Sequence, residues 1–160
     1  MRIKMNRIKS VAIVFAATCA FASDNISAAV GGSFGIRGGY DFDAEQVVIG
    51  FQSELGKFIE LARFAPSADY GFGNDLTTFA FNGDIRIYLT PPGAGATLYG
   101  GVGPTFFVVD TDGSDADSKI GLTLSGGVKF GAGKGRVYNL EGRFGIDDSP
   151  DFRLLFGIYF

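Results

Sequence analysis

The chain has 160 residues, 14 Lys and Arg against 17 Asp and Glu, a formal net charge of −3, no histidine and one cysteine. This length supports a single domain, and the acidic balance excludes a partner bound by basic charge, so no nucleic acid. Without histidine, neither a Ser-His nor an Asp-His hydrolytic site can be assembled.

The N-terminal segment reads as an export signal. Residues 1–10 carry Arg2, Lys4, Arg7 and Lys9 without an acid, and the apolar run Val11 to Ala22 has the length of a signal-peptide core. It is too short to cross a bilayer as a helix. Small residues at Ser27 and Ala29 predict cleavage after Ala29, with Ala22 as the alternative. The predicted domains are therefore a signal peptide over 1–29 and a single domain over 30–160. Cys19 falls in the discarded part, after Thr18 where a lipoprotein signal wants Gly, Ala or Ser, so the remainder has no disulfide or thiolate site. Losing four basic residues and the acid Asp24 leaves ten basic and sixteen acidic side chains, a net charge of −6. All 25 glycines lie in that remainder. It contains no 18-residue apolar window, so the structure able to satisfy its backbone within a bilayer is a closed β-barrel.

Period-two alternation then predicts eight strands in chain order. Ser33 to Tyr40 sets Phe34, Ile36 and Tyr40 against Ser33, Arg37 and Gly39. Gln46 to Leu55 sets Val47, Ile49, Phe51 and Leu55 against Gln46, Gly50, Gln52 and Glu54. In Arg63 to Phe72, Phe64, Pro66, Ala68, Tyr70 and Phe72 oppose Arg63, Ala65, Ser67, Asp69 and Gly71. Pro66 lacks a backbone N–H, which implies a bulge or a locally unpaired position. The fourth strand alternates most clearly, with Thr77, Phe79, Phe81, Ile85, Ile87 and Leu89 against Thr78, Asn82, Asp84, Arg86 and Tyr88. Leu98 to Val109, Lys119 to Phe130, and a seventh strand from Tyr138 to Ile146 follow. The last, Phe152 to Phe160, alternates strictly, with Phe152, Leu154, Phe156, Ile158 and Phe160 on one face.

An even strand number puts both termini on one side, the periplasmic one. Leu55 to Ala62, Thr90 to Gly95 and Gly131 to Gly135 are then periplasmic turns. Asp41 to Glu45, Gly73 to Asp75, Asp110 to Ser118 and Asp147 to Asp151 are external, short and acidic. The polar faces together collect Arg37, Glu54, Arg63, Asp69, Asp84, Arg86, Lys129, Glu141, Arg143 and Arg153. Such charges persist inside a narrow lumen when paired or hydrated, and eight strands enclose a space that side chains fill. The expected interior is a salt-bridged plug and not an open pore.

Two features carry a family resemblance: the terminal strand Phe152 to Phe160, and the segment Asn82-Gly83-Asp84-Ile85-Arg86-Ile87-Tyr88-Leu89 followed by a Pro-Gly turn. Over residues 30–160 the chain resembles the small OmpA/OmpX-like outer-membrane β-barrels. The resemblance implies an all-β, eight-stranded, antiparallel up-and-down transmembrane barrel in the outer membrane of a Gram-negative-type bacterium. It implies assembly by the barrel-assembly machinery through Phe156, Ile158 and Phe160, and contact with outer-membrane lipid and lipopolysaccharide. The superfamily includes adhesins, stress-response proteins and lipid-modifying enzymes, so it does not name an activity. The short external segments depart from the adhesin members.

No catalytic residue, cofactor or metal is expected. Asp84 and Glu141 have the composition of an acid–base pair, but Arg86 and Arg143 beside them favour ion pairing. Gly131-Ala132-Gly133-Lys134-Gly135 lacks the Ser or Thr and the helix of a phosphate loop. Asp110, Asp112, Asp115 and Asp117 are weak candidate Ca²⁺ ligands, since Gly121 stands where an EF-hand closes with Glu. The expected function is a non-enzymatic envelope protein. The alternative is a soluble lipocalin-like barrel with its apolar face inward around a small ligand. Periodicity cannot say which face is inside.

Overall fold

The computed structural model describes residues 33–73, 76–90, 95–111, 116–133, 135–147 and 151–160. The predicted signal peptide and its cleavage sites lie outside the described residues. In chain order the strands are β1 (Ser33–Asp41), β2 (Gln46–Ile59), β3 (Ala62–Phe72), β4 (Leu76–Tyr88), β5 (Ala96–Thr111), β6 (Asp117–Gly133), β7 (Arg136–Ile146) and β8 (Phe152–Tyr159). Each pairs antiparallel with its sequence neighbours, and β1 pairs with β8 to close the barrel. The closing register runs from Gly35 opposite Tyr159 to Asp41 opposite Arg153. Two further bonds extend that seam, Phe42 N–H to Phe152 O at 3.0 Å and Phe160 N–H to Phe34 O at 2.8 Å. Gly39 lets the two backbones approach there, because a Cβ at 39 would stand 2.8 Å from Leu155 Cα.

Several boundaries differ from the sequence reading. The segment expected as a long turn from Leu55 to Ala62 is mostly strand, leaving Glu60 and Leu61 as the connection. Register shifts between Leu55 and Lys57 and again before Ile59 absorb the extra residues, with Gly56 at φ 56° at the first shift, as a bulge requires. Bulged residues break the period-two pattern, which is why alternation faded there. Pro66 keeps an unbroken register with β4, opposite Gly83. On its β2 side the ladder passes from Gln52–Ser67 to Leu55–Phe64 without change of register, so Pro66 marks an unpaired position and not a bulge. The loops expected at Asp41–Glu45, Asp110–Ser118 and Gly131–Gly135 are shortened by strand at their ends: Asp41 belongs to β1, Asp110 and Thr111 to β5, Asp117 and Ser118 to β6, and residues 131–133 to β6.

Strand β6 also outruns its neighbour. Its pairing with β7 begins at Leu122 opposite Ile146, while Asp117 to Gly121, at the mouth opposite the termini, lie in the β5 ladder beyond the end of the β7 ladder.

The alternation sorts side chains into two environments. Large apolar residues face outward and are exposed, among them Ile36, Ile49, Ile85, Ile87, Leu98, Leu124, Leu140, Phe144, Leu154 and Phe156. Buried inside are Arg37, Asp41, Glu54, Asp69, Asp84, Arg86, Lys129, Glu141, Arg143 and Arg153, with Val48, Tyr88, Tyr99, Phe107, Leu155 and Tyr159 between them. Polarity is thus inverted relative to a water-soluble barrel. Outward aromatics form ladders along the wall. Tyr40, Phe42, Phe152 and Phe144 follow one another with centroid separations of 5.2, 5.4 and 4.9 Å near one rim. Phe130, Tyr138 and Phe156 do so toward the other, at 5.6 Å each.

Candidate functional site: the charged lumen

Every strand contributes inward positions at a spacing of two, so the ten charged residues read onto the polar faces come together in one interior. They form three linked tiers. Nearest the mouth opposite the termini, Arg37 of β1 grips Asp69 of β3 bidentately, Nε at 2.7 Å and Nη2 at 2.6 Å. Ser67 and Asn82 complete the shell of Asp69 and Arg37. Arg153 of β8 donates its Nε to Asp41 at 2.7 Å and lies over the Phe107 ring, 5.2 Å from its centroid.

The middle tier centres on Glu141 of β7. Its carboxylate accepts from Arg37 and Arg143 at 3.2 Å each, from the Tyr99 hydroxyl at 2.6 Å, and from Arg86. Arg143 also reaches Asp84 at 2.8 Å and Thr123 at 3.0 Å. At the terminus-bearing end, Glu54 of β2 accepts from Arg86 at 3.2 Å, from the Tyr88 hydroxyl at 2.7 Å, and from Lys129. Arg63 stands 3.6 Å from Glu54. The Lys129 ammonium lies over Tyr159, 4.2 Å from the ring centroid, where ring quadrupole and carboxylate together compensate its lost hydration.

Bulky groups in so narrow a space need bare positions opposite. Gly127 supplies one, since a Cβ there would lie 2.6 Å from Tyr99 Cζ. The resulting interior is filled by side chains.

Chemically, each of the five lumen carboxylates is engaged by at least one cation. Asp84 and Glu141 share Arg143 and so belong to the ion-pair lattice. Of the four candidate Ca²⁺ ligands, Asp110 is the last residue but one of β5, opposite Thr77, and Asp117 opens β6 opposite Val109. Asp112 and Asp115 lie outside the described residues. No cluster of three or more His, Cys, Asp or Glu suited to a metal is found among the described residues.

The sequence reading missed Asp41, assigned to an external loop. Its Oδ1 accepts the N–H groups of Asp43 and Ala44 at 3.1 and 3.0 Å, while Oδ2 takes Arg153. It is both turn cap and lumen counter-ion. The signal was present, because Arg37, Gly39 and Asp41 continue one period-two face. The tyrosines Tyr88, Tyr99 and Tyr159 were on the polar face but were not read as partners of the charges.

The fold is that of the small eight-stranded outer-membrane β-barrels. The N-terminal β-barrel domain of Pseudomonas aeruginosa OprF superposes with a TM-score of 0.66 at 14% identity, covering 81% of this chain and 95% of that one. Neisserial surface protein A gives 0.57 at 12% identity, over 80% and 92%. The outer membrane protein Ail of Yersinia pestis gives 0.52 at 13%, over 81% and 98%. No family model and no curated protein matches the sequence.

Proposed function

We propose that the chain is an integral outer-membrane β-barrel of a Gram-negative-type bacterium, non-enzymatic, with a structural role in the envelope and a side-chain-filled lumen. The observation that carries this reading is the inverted polarity. A wall exposing Ile36, Ile49, Ile85, Ile87 and Leu124 around a buried lattice of arginines and carboxylates suits a lipid solvent. In the lipocalin alternative the apolar face lines the cavity, whereas here the interior is ionic.

On this reading residues 1–29 direct export and are removed, leaving 30–160 as the mature barrel. Phe156 on the outer face of β8 and Phe160 directly after the strand, with Ile158 between them, present the side chains that the barrel-assembly machinery reads. The exposed wall contacts lipid and lipopolysaccharide. The test is cell fractionation with heat-modifiable gel mobility. A fast-migrating, unboiled band in the outer-membrane fraction supports the proposal, and a soluble periplasmic pool refutes it.

A further inference from the structure

Along each strand the backbone groups of alternate residues turn to alternate neighbours, and the closing seam fixes which. Phe42 N–H donates to Phe152 O and Phe160 N–H to Phe34 O, so even residues of β1 address β8 and odd ones address β2. Carried through the registers Asp41–Gln46 and Val47–Phe72, the count makes odd residues of β2 and even residues of β3 exchange bonds. Ser53 and Pro66 fall together on that count. Pro66 has no N–H to give, and the ladder accordingly passes from Gln52–Ser67 to Leu55–Phe64. The Ser53 carbonyl is left without its ladder donor.

Between β4 and β5 the same thing happens once more. Leu89 N–H donates to Leu98 O, so odd residues of β4 address even residues of β5, and Gly83 meets Pro104. That ladder passes from Asn82–Thr105 to Ile85–Val102. Pro66 and Gly83 are direct partners, so Ser53, Pro66, Gly83 and Pro104 form one row across four strands. The row faces outward, because Gln52 and Glu54, Asn82 and Asp84, Gly103 and Thr105 are buried on either side of its members. Pro66 lies near the middle of β3, well inside the apolar wall, where a backbone group without a partner is costly in lipid.

The two ends of the row differ. Ser53 is half-exposed and adds a hydroxyl to an outer face of β2 that is otherwise Val47, Ile49, Phe51 and Leu55. That hydroxyl enters no hydrogen bond among the described residues. Gly83 brings no side-chain donor, and the Phe64 ring lies over it, 3.6 Å from where a Cβ would stand. Ser53 thus presents an unfilled donor and an unfilled acceptor side by side. Acyl chains can fill neither.

We propose that Ser53 is the centre of a two-fold contact between copies of this barrel, in which each Ser53 hydroxyl donates to the Ser53 carbonyl of the other copy. Copies inserted in one orientation are related by an axis along the membrane normal, which brings identical residues to the same depth. Donor and acceptor on one residue are then satisfied together, by the kind of polar contact that joins spanning segments in lipid. The contact rests on the outer-membrane reading, since in water both groups would be hydrated.

The test uses the folded barrel in phosphatidylcholine vesicles. Residues 30–160 hold no cysteine, so Glu60→Cys in the exposed β2–β3 turn takes donor or acceptor fluorophores, and energy transfer is followed as lipid dilutes the protein. Transfer falling along a monomer–dimer curve is expected. Ser53→Ala should weaken association by about tenfold, the loss of two hydrogen bonds in lipid. Pro66→Ala restores the missing N–H and occupies the carbonyl, so it should weaken association while leaving stability in urea equal or higher, which a merely damaged barrel would not do. Pro104→Ala mends the other gap and should leave association unchanged. Full association in Ser53→Ala, or an equal loss in Pro104→Ala, would overturn the site. Under mild oxidant Ser53→Cys should form linked dimers and Gly126→Cys, on the opposite wall, should not; equal linking at both would also overturn it. A barrel without heat-modifiable mobility in the vesicles overturns the membrane reading itself, whereas an inserted barrel that stays monomeric overturns this contact alone. The wild-type dilution decides the matter even if a variant does not fold.

Discussion

Glu141→Gln tests the ionic lattice at its most connected point. The wild-type carboxylate is buried and accepts from Arg37, Arg86, Arg143 and the Tyr99 hydroxyl. A Gln keeps one acceptor oxygen but turns an amide N–H₂ toward guanidiniums, and it removes one negative charge from among three arginines. Removing one member of a buried pair typically costs about 3–5 kcal/mol. Here Arg37 retains Asp69, Arg143 retains Asp84 and Arg86 retains Glu54. The loss is therefore expected at the lower end, about 3 kcal/mol. The chain has no tryptophan, so unfolding in urea from lipid vesicles is best followed by the folded fraction on unboiled gels. A change under about 1 kcal/mol, the size of an exposed pair, would refute the claim that these charges form a desolvated lattice.

Glu54→Gln should cost more than Glu141→Gln in the same assay, because among the described residues Glu54 is the carboxylate that Arg63 and Lys129 pair with. Leu124→Arg puts a charge on the outer face, and if that face meets acyl chains near the bilayer centre it should destabilise by about 2–4 kcal/mol; a neutral result in vesicles would argue for water outside. Gly127→Val drives methyl groups into the Tyr99 ring and should cost about 1–3 kcal/mol as overpacking, read by the same urea titration, with Gly126→Val on the opposite face nearly silent. Deleting Phe160 should reduce the amount recovered in the outer membrane, and undiminished insertion would show that the terminal aromatic is not read during assembly. Amides of Asp117 to Gly121 should exchange hydrogen faster than those of Leu122 to Phe130, since among the described strands the former lie in the β5 ladder and the latter in the ladders of both β5 and β7.

What could be read from the sequence followed from strict alternation. In β4 the two faces separate without an exception from Thr77 to Tyr88, and the structure puts Phe79, Phe81, Ile85 and Ile87 outside and Asn82, Asp84 and Arg86 inside. The pattern weakened where a bulge displaced one residue, as at Gly56, and the strand ends were lost there. At Asp41 the period held, but a turn-forming residue type masked its place on the inner face of β1. Periodicity gave no information on which face is interior, since a lipocalin and a membrane barrel share it. Closure decided that, by showing that eight strands leave room for interdigitated Arg, Glu and Tyr. The partnerships were illegible for a related reason. Arg37 and Glu141 are 104 residues apart, and only the closed β1–β8 seam brings them to one tier.

The central claim is that the apolar face meets lipid. Methyl-labelled protein in lipid nanodiscs tests it directly through contacts between methyl and acyl-chain protons. Methyls of Ile36, Ile49, Ile85, Ile87, Leu98 and Leu124 are expected to show those contacts, while Val48 and Leu155, buried in the lumen, show none. Water contacts at the first group, with no acyl-chain contacts there, would contradict the account.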